Sequence, residues 1–182
     1  MNRLYCFLCG IMLFTINLNA QETREHLKYL GIPIAGSLES FASKLCSEKD
    51  YTDLNKDPKW EGFTSKTLTG YFWKFSDCTV YLKSMDSIGE ISEVMVQKKF
   101  ISTHINDIVD LTENFDMKYG NHIIAEDKSF IKTYQWNVEQ GRIEINLLPT
   151  FDMFNIRYFD YTQTDEMRKQ ELLEKKKELD EL

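Results

Sequence analysis

The sequence predicts an α+β fold, with helices laid on one face of an antiparallel sheet. Three observations lead there. Helical apolar spacing occurs twice, in Leu38, Phe41, Ala42 and Leu45 and again in Ile105, Ile108, Leu111 and Phe115. After each helix come stretches that alternate apolar and polar residues and are broken by turn-forming residues, the mark of strands with one buried face. The two sets share an offset of 63 to 65 residues, which sets Ser37 on Ser102, Trp73 on Trp136, Val80 on Ile143 and Leu82 on Ile145. The expected architecture is two helix-plus-three-strand repeats, about 26–100 and 101–161, forming one antiparallel sheet with both helices on one face, plus a charged C-terminal helix.

Residues 1–20 read as a signal peptide. Arg3 gives a short positive start, Leu4 to Leu18 an apolar core, and Leu18-Asn19-Ala20 a small residue before the cut, leaving Gln21 as the new N-terminus. The core is too short for a comfortable membrane span. Cys6 and Cys9 follow Tyr5 and Leu8, not the small residue that a lipid anchor requires. Their C-x-x-C spacing lies in the part to be removed, so it carries no redox reading. The expectation is an exported protein, periplasmic or secreted, with no stable membrane anchor after cleavage.

Residues 21–161 read as one domain, long enough for a real core. After a polar lead-in, Leu27, Tyr29, Ile32 and Ile34 suit a short strand, and Pro33 and Gly36 turn it into a corner. Ser37 stands at the N-cap of the first helix, with Glu39 in its first turn where the helix dipole favours negative charge. The approach to this helix carries His26, Leu27, Tyr29, Gly31, Ile32, Pro33, Ile34, Gly36 and Ser37. It resembles the H-L-x-(aromatic or aliphatic)-x-G-I-P-(apolar)-x-G opening of a group of short exported bacterial proteins of unknown function. That resemblance implies export and brings no known chemistry.

Ser47 to Lys59 is a polar loop. Its Asp53-x-Asn55-x-Asp57 has the spacing that opens a calcium loop, but Pro58 stands where a glycine is needed and Thr64 where a bidentate glutamate belongs, so no metal is expected. From Leu68 the run LTGYFWKF reads as a strand with Tyr71, Trp73 and Phe75 on one side, and Ser76-Asp77 as a tight turn. Cys78 to Lys83 follows, with Val80 and Leu82 on one face and Thr79, Tyr81 and Lys83 on the other. Ile91 to Phe100 is a third strand, Val94, Val96 and Phe100 on one side and Glu93, Gln97 and Lys99 on the other. Ser102 or Thr103 is expected to cap the second helix and Gly120 to stop it. A second hairpin runs from Phe130 to Val138 and Arg142 to Leu148, and Phe154 to Tyr161 is the last strand. This layout resembles the tandem helix-plus-sheet repeats of β-lactamase inhibitor proteins and small outer-membrane assembly lipoproteins; a likeness of architecture implies no activity. Residues 162–182 form a charged tail, read either as a solvated helix or as a partner-binding or dimerising one, with Glu171–Lys175 in helical register and Leu172 and Leu179 seven apart.

The chain carries 29 acidic and 22 basic residues, a net −7, which argues against nucleic acid or anionic lipid as partners. His26, His104 and His122 lack metal-ligand spacing, and no nucleophile elbow, Walker loop or Rossmann glycine pattern appears, so no cofactor is expected. Cys46 and Cys78 are either a disulfide, worth roughly 3–4 kcal/mol by loop closure, or two separate buried thiols. Pairing either cysteine with His104 or His122, or using carboxylates such as Glu90 and Glu93 as acid and base, would need a cleft to which nothing in the sequence points. Surface remains. With Trp73, Trp136, Val80 and Ile143 turned to the helices, Phe72, Tyr81, Phe159 and Tyr161 are expected on the open sheet face, where aromatics anchor partners well. The function expected is that of a non-enzymatic exported protein binding a protein or envelope component through that face. The alternatives are an envelope hydrolase with an unrecognised site and a structural protein self-assembling through its tail.

Overall fold

Alternation along six long strands decides this architecture, because each strand has one apolar edge to bury. The computed structural model describes residues 25–86 and 89–162, so the expected signal peptide and, beyond Thr162, the expected tail helix lie outside the described residues. The chain runs β1 (Lys28–Tyr29), β2 (Ile32–Pro33), α1 (Leu38–Lys49), β3 (Thr52–Asp53), β4 (Phe63–Phe72), β5 (Phe75–Met85), β6 (Ile91–Lys99), α2 (Ile105–Tyr119), β7 (Ile123–Lys128), β8 (Ile131–Val138), β9 (Gly141–Leu148) and β10 (Met153–Asp160). β1 and β2 form a small hairpin; the other strands make one sheet of order β3-β4-β5-β6-β10-β9-β8-β7, antiparallel throughout. The fold is thus α+β, two helices on a large antiparallel sheet.

Register fixes which side chains share a face. Leu68, Val80, Val96, Ile156, Ile145 and Tyr134 pair across the sheet in one row. Lys66, Leu82, Val94, Tyr158, Ile143 and Trp136 form the next. Onto this side α1 lays Leu38, Phe41, Ala42 and Leu45, and α2 lays Ile108, Leu111 and Phe115, in a single hydrophobic core. The β1–β2 hairpin adds Tyr29 and Ile32, and Leu27 and Ile34 flank it in the same core. The two ends of the domain are tied at Asp160, whose buried carboxylate accepts the Leu27 N–H at 2.6 Å and the Thr162 N–H at 2.8 Å, with His26 Nδ1 at 3.4 Å.

The first helix begins as its sequence requires. Ser37 Oγ accepts the Ser40 N–H at 3.2 Å, and Asp50 ends the helix in the left-handed region. The second helix differs at its start. Ile101–Thr103 forms a 3₁₀ turn, and α2 begins after His104 without a side-chain cap. Neither expected cap stands at the N-cap position, which His104 takes: Thr103 Oγ1 bonds back to the Phe100 carbonyl, and Ser102 lies within the 3₁₀ turn with its N–H given to Asp152. Gly120 stops α2 at φ +86°, as expected.

The first hairpin also differs. The turn is Trp73-Lys74, not Ser76-Asp77: Phe72 pairs with Phe75, and Asp77 becomes a left-handed bulge within β5. Trp73 therefore lies in a turn at φ +53° and is 37% exposed, whereas Trp136 sits within β8 and is 1% exposed. Opposite Val80 stands Leu68, as Trp136 stands opposite Ile143. The calcium-like segment is used structurally: Asp53 accepts the Asn55 N–H and pairs with Lys66, and Asp57 accepts the Thr67 N–H. Cys46 and Cys78 stand apart as free thiols in the structure. Cys78 lies buried on β5 with its Sγ–H toward the Phe75 carbonyl, and burial pushes its pKa to about 11; Cys46 packs at the margin of the core.

Candidate binding groove

The register that buries one face turns a different set of side chains to the other. Thr67, Tyr81, Met95, Arg157, Glu144 and Gln135 pair across the sheet in one row. Thr69, Thr79, Gln97, Asn155, Asn146 and Thr133 form the second, and Ser65, Lys83, Glu93, Phe159, Arg142 and Asn137 the third. This face is mostly polar, with Tyr81, Met95 and Phe159 the large apolar side chains in these rows. Yet Lys83, Glu93, Glu144, Asn146 and Thr133 are each less than a tenth exposed.

They are held in a network. Lys83 Nζ lies 3.4 Å from both Glu93 oxygens, and Arg157 Nε donates to Glu93 Oε1 at 2.8 Å. Arg157 also reaches Glu144 at 3.9 Å, and Arg142 Nε lies 3.0 Å from Glu144 Oε1. Asn146 Nδ2 donates to Asn155 Oδ1 at 2.9 Å, and Thr133 Oγ1 to Asn146 Oδ1 at 2.6 Å. Buried charges persist only when paired and hydrogen-bonded, and here each has a partner of opposite sign.

Two walls rise from this floor. On one side the loop before β4 carries Trp60, which bridges to Phe63, stands edge-on to Tyr81 with centroids 6.5 Å apart, and receives the Lys83 ammonium 4.5 Å from its ring. The loop is pinned to β4: Leu54 N–H donates to the Thr67 carbonyl at 3.0 Å, and Ser65 Oγ to the Pro58 carbonyl. On the other side β7 is offset by a register shift between Ile124 and Glu126, and Ala125 and Glu126 line the space. Between the walls lies a groove of about 460 Å³, within the usual range for ligand sites. A second recess of about 450 Å³ lies under the loop, lined by Leu54, Pro58, Thr67, Thr79 and Tyr81.

Of the four aromatics expected on this face, Tyr81 is placed as expected, half-buried beside Trp60 with its hydroxyl 3.4 Å from Gln97. Phe159 also faces this way, but the guanidinium groups of Arg142 and Arg157 cover it at 4.6 and 4.4 Å. Tyr161 follows β10, exposed, 6.4 Å from Phe159. Phe72 lies on the opposite face, 3% exposed and stacked on Tyr29 at 5.8 Å. Its face was inferred from Trp73, and the turn at Trp73 breaks that alternation. The residues that sequence reasoning missed are Trp60, Glu144, Asn146, Asn155 and Arg157; alternation puts Lys83 and Glu93 on this face but gives no sign of their partners.

His26, His104 and His122 meet Asp160, Asp107 and Asp116 at 3.4, 3.4 and 2.9 Å, and none lines the groove. Among the described residues, no group of three or more His, Cys, Asp or Glu could hold a metal ion, and no helix is long and apolar enough to cross a membrane. No protein-family model, curated protein or solved structure matches the chain.

Proposed function

We propose that this protein is an exported, non-enzymatic binding protein that receives its partner in the polar groove on the open face of its sheet. One observation carries the reading: Lys83, Glu93 and Glu144 are buried on the face opposite the two described helices. A face that met only water would be served by solvated side chains at no desolvation cost. Fixed, paired polar groups between firm walls are the arrangement a recognition site needs. The apolar opening of the sequence supports the export part of the reading, and N-terminal sequencing of the protein from its own cells should begin at Gln21.

The scaffold reads as a duplicated unit. In support, α1-β3-β4-β5-β6 and α2-β7-β8-β9-β10 follow one order, and the strands run in mirrored sequence about β6 and β10. Exchanging Val80 with Ile143, Val96 with Tyr158 and Val94 with Ile156 carries the pairs Val80–Val96 and Val96–Ile156 into Ile143–Tyr158 and Tyr158–Val94, all of which occur.

A hydrolase is the second reading, favoured by two glutamates, Glu93 and Glu144, that share Arg157. Against it, their oxygens are already engaged by Lys83, Arg142, Arg157 and Asn146. The test is capture from the producing cell's envelope fraction with the wild-type protein, Trp60→Ala and, as a control on α2, Met117→Ala. The expected result is a partner retained by wild type and Met117→Ala and lost from Trp60→Ala. Equal capture by all three would overturn the groove reading, and turnover of the captured molecule would favour the hydrolase.

A further inference from the structure

We infer that the groove takes a neutral oligosaccharide, an inference that rests on the groove being the binding site. The charged side chains lining it are Lys83 and Arg157 against Glu126 and Glu144, so they cancel. A strongly anionic or cationic ligand would leave one pair opposed and unmatched.

The floor mixes donors and acceptors at short intervals: the amides of Asn146 and Asn155 and the hydroxyl of Thr133. An amide offers both roles, as a sugar hydroxyl does, so a chain of hydroxyls can pair along such a floor in either sense. An extended peptide would need free backbone groups to add itself to. The floor comes from β5, β6, β10, β9 and β8, each hydrogen-bonded to a neighbour on both sides, so a strand added there could pair only with the outer edge of β7, at the wall and not on the floor.

Trp60 supplies the complementary apolar surface. Trp60 is 43% exposed, held by the bridge to Phe63 and by the edge contact with Tyr81. The Lys83 ammonium takes one face of the ring at 4.5 Å; on the other, a flat, fixed aromatic matches the C–H face of a pyranose and costs little entropy to present. The pair Trp60–Tyr81 stands between the two recesses, of about 460 and 450 Å³, so the ligand is longer than one sugar ring. The second recess holds a further signal. Thr67 is 3% exposed, lines that recess, and its hydroxyl has no hydrogen-bond partner. A buried polar group left unpaired is costly, and a ligand hydroxyl would satisfy it.

The experiment is an amide chemical-shift titration of the wild-type domain with maltohexaose, cellohexaose, mannohexaose and chitohexaose, repeated on Trp60→Ala and Thr67→Val. The expected result is that at least one probe shifts the amides of Trp60, Thr67, Tyr81 and Asn146 at millimolar concentration or below. Trp60→Ala should weaken that binding by about tenfold or more. Thr67→Val should weaken it severalfold while raising the melting temperature, a combination that a purely structural threonine would not give. No groove shift with any of the four probes, or shifts that survive Trp60→Ala unchanged, would overturn the inference. If that happens while envelope capture still depends on Trp60, the occupant is a protein and the groove reading stands; if capture fails as well, both fall.

Discussion

At Gly70 a β-carbon would lie 2.6 to 2.8 Å from three atoms of the Tyr51 ring. The ring cannot retreat, because the Tyr51 hydroxyl donates to the Tyr71 carbonyl and meets the Tyr29 hydroxyl at 2.8 Å. Gly70→Ala is expected to cost about 1–3 kcal/mol by overpacking, read as a lowered urea midpoint. The same tyrosines set an alkaline limit. Burial pushes the phenols of Tyr29 and Tyr158 well above their usual range, and that of Tyr51 to about 12. The folded state therefore favours neutral phenols, while unfolded ones ionise near ~10. Stability is fully present below pH about 10 and is lost as pH rises from there through the folded values. Urea midpoints taken across that range should fall steeply, and a flat profile would contradict the burial of these rings. None of this was legible in the sequence, where Gly70 reads as an ordinary strand glycine and Tyr51 as part of a polar loop. The contact between them depends on β3 lying beside β4.

At the scale of elements, the helices were largely legible and one strand face was not. Leu38, Phe41, Ala42 and Leu45 are buried as their spacing predicted, and Ser37 and Gly120 bound their helices. The first hairpin misled because both Trp73-Lys74 and Ser76-Asp77 are capable of a turn; tertiary contacts choose between them, with Lys74 paired to Asp110 at 2.9 Å and Phe75 packed on Phe154. The turn comes three residues earlier than the sequence suggests, so Trp73 leaves the strand and Phe72 keeps the buried face it shares with Leu68. Phe72→Ala is accordingly expected to destabilise the fold by about 3–5 kcal/mol, measured by denaturation. β7 went unread because its exposed residues show no alternation. The link from α2 to β8 is made by Asp116, which accepts from His122 Nδ1 at 2.9 Å and Trp136 Nε1 at 3.0 Å. Burial raises its pKa, but the bonds from His122 and Trp136 outweigh that and hold the carboxyl below its usual range. Its stabilisation is present above the unfolded value of ~3.9 and is lost as pH falls through the lower folded value. Asp116→Asn should be less stable than wild type near neutrality, and the difference should shrink below pH about 4; a gap that persists in acid would contradict this.

For the whole molecule, the legible part is composition of layers and the illegible part is assembly. Alternation places apolar residues on one side of every long strand, and the core forms there. Which strands become neighbours is set by β6 meeting β10, a pairing between strands some 60 residues apart that no local pattern announces. That pairing brings Glu93 beside Arg157, and β10 in turn brings Arg157 beside Glu144, so the groove exists only after assembly. A polar face is easily read from sequence as plain solvated surface, whereas its burial is visible only in three dimensions. The most direct test of the central claim places a photoreactive amino acid at Gln97, on the open face, or at Met117, on α2, and irradiates the protein in the cells that produce it. Specific cross-links from position 97 and none from 117 are expected. Cross-links from 117 alone would show that the molecule works through its helices and contradict the account.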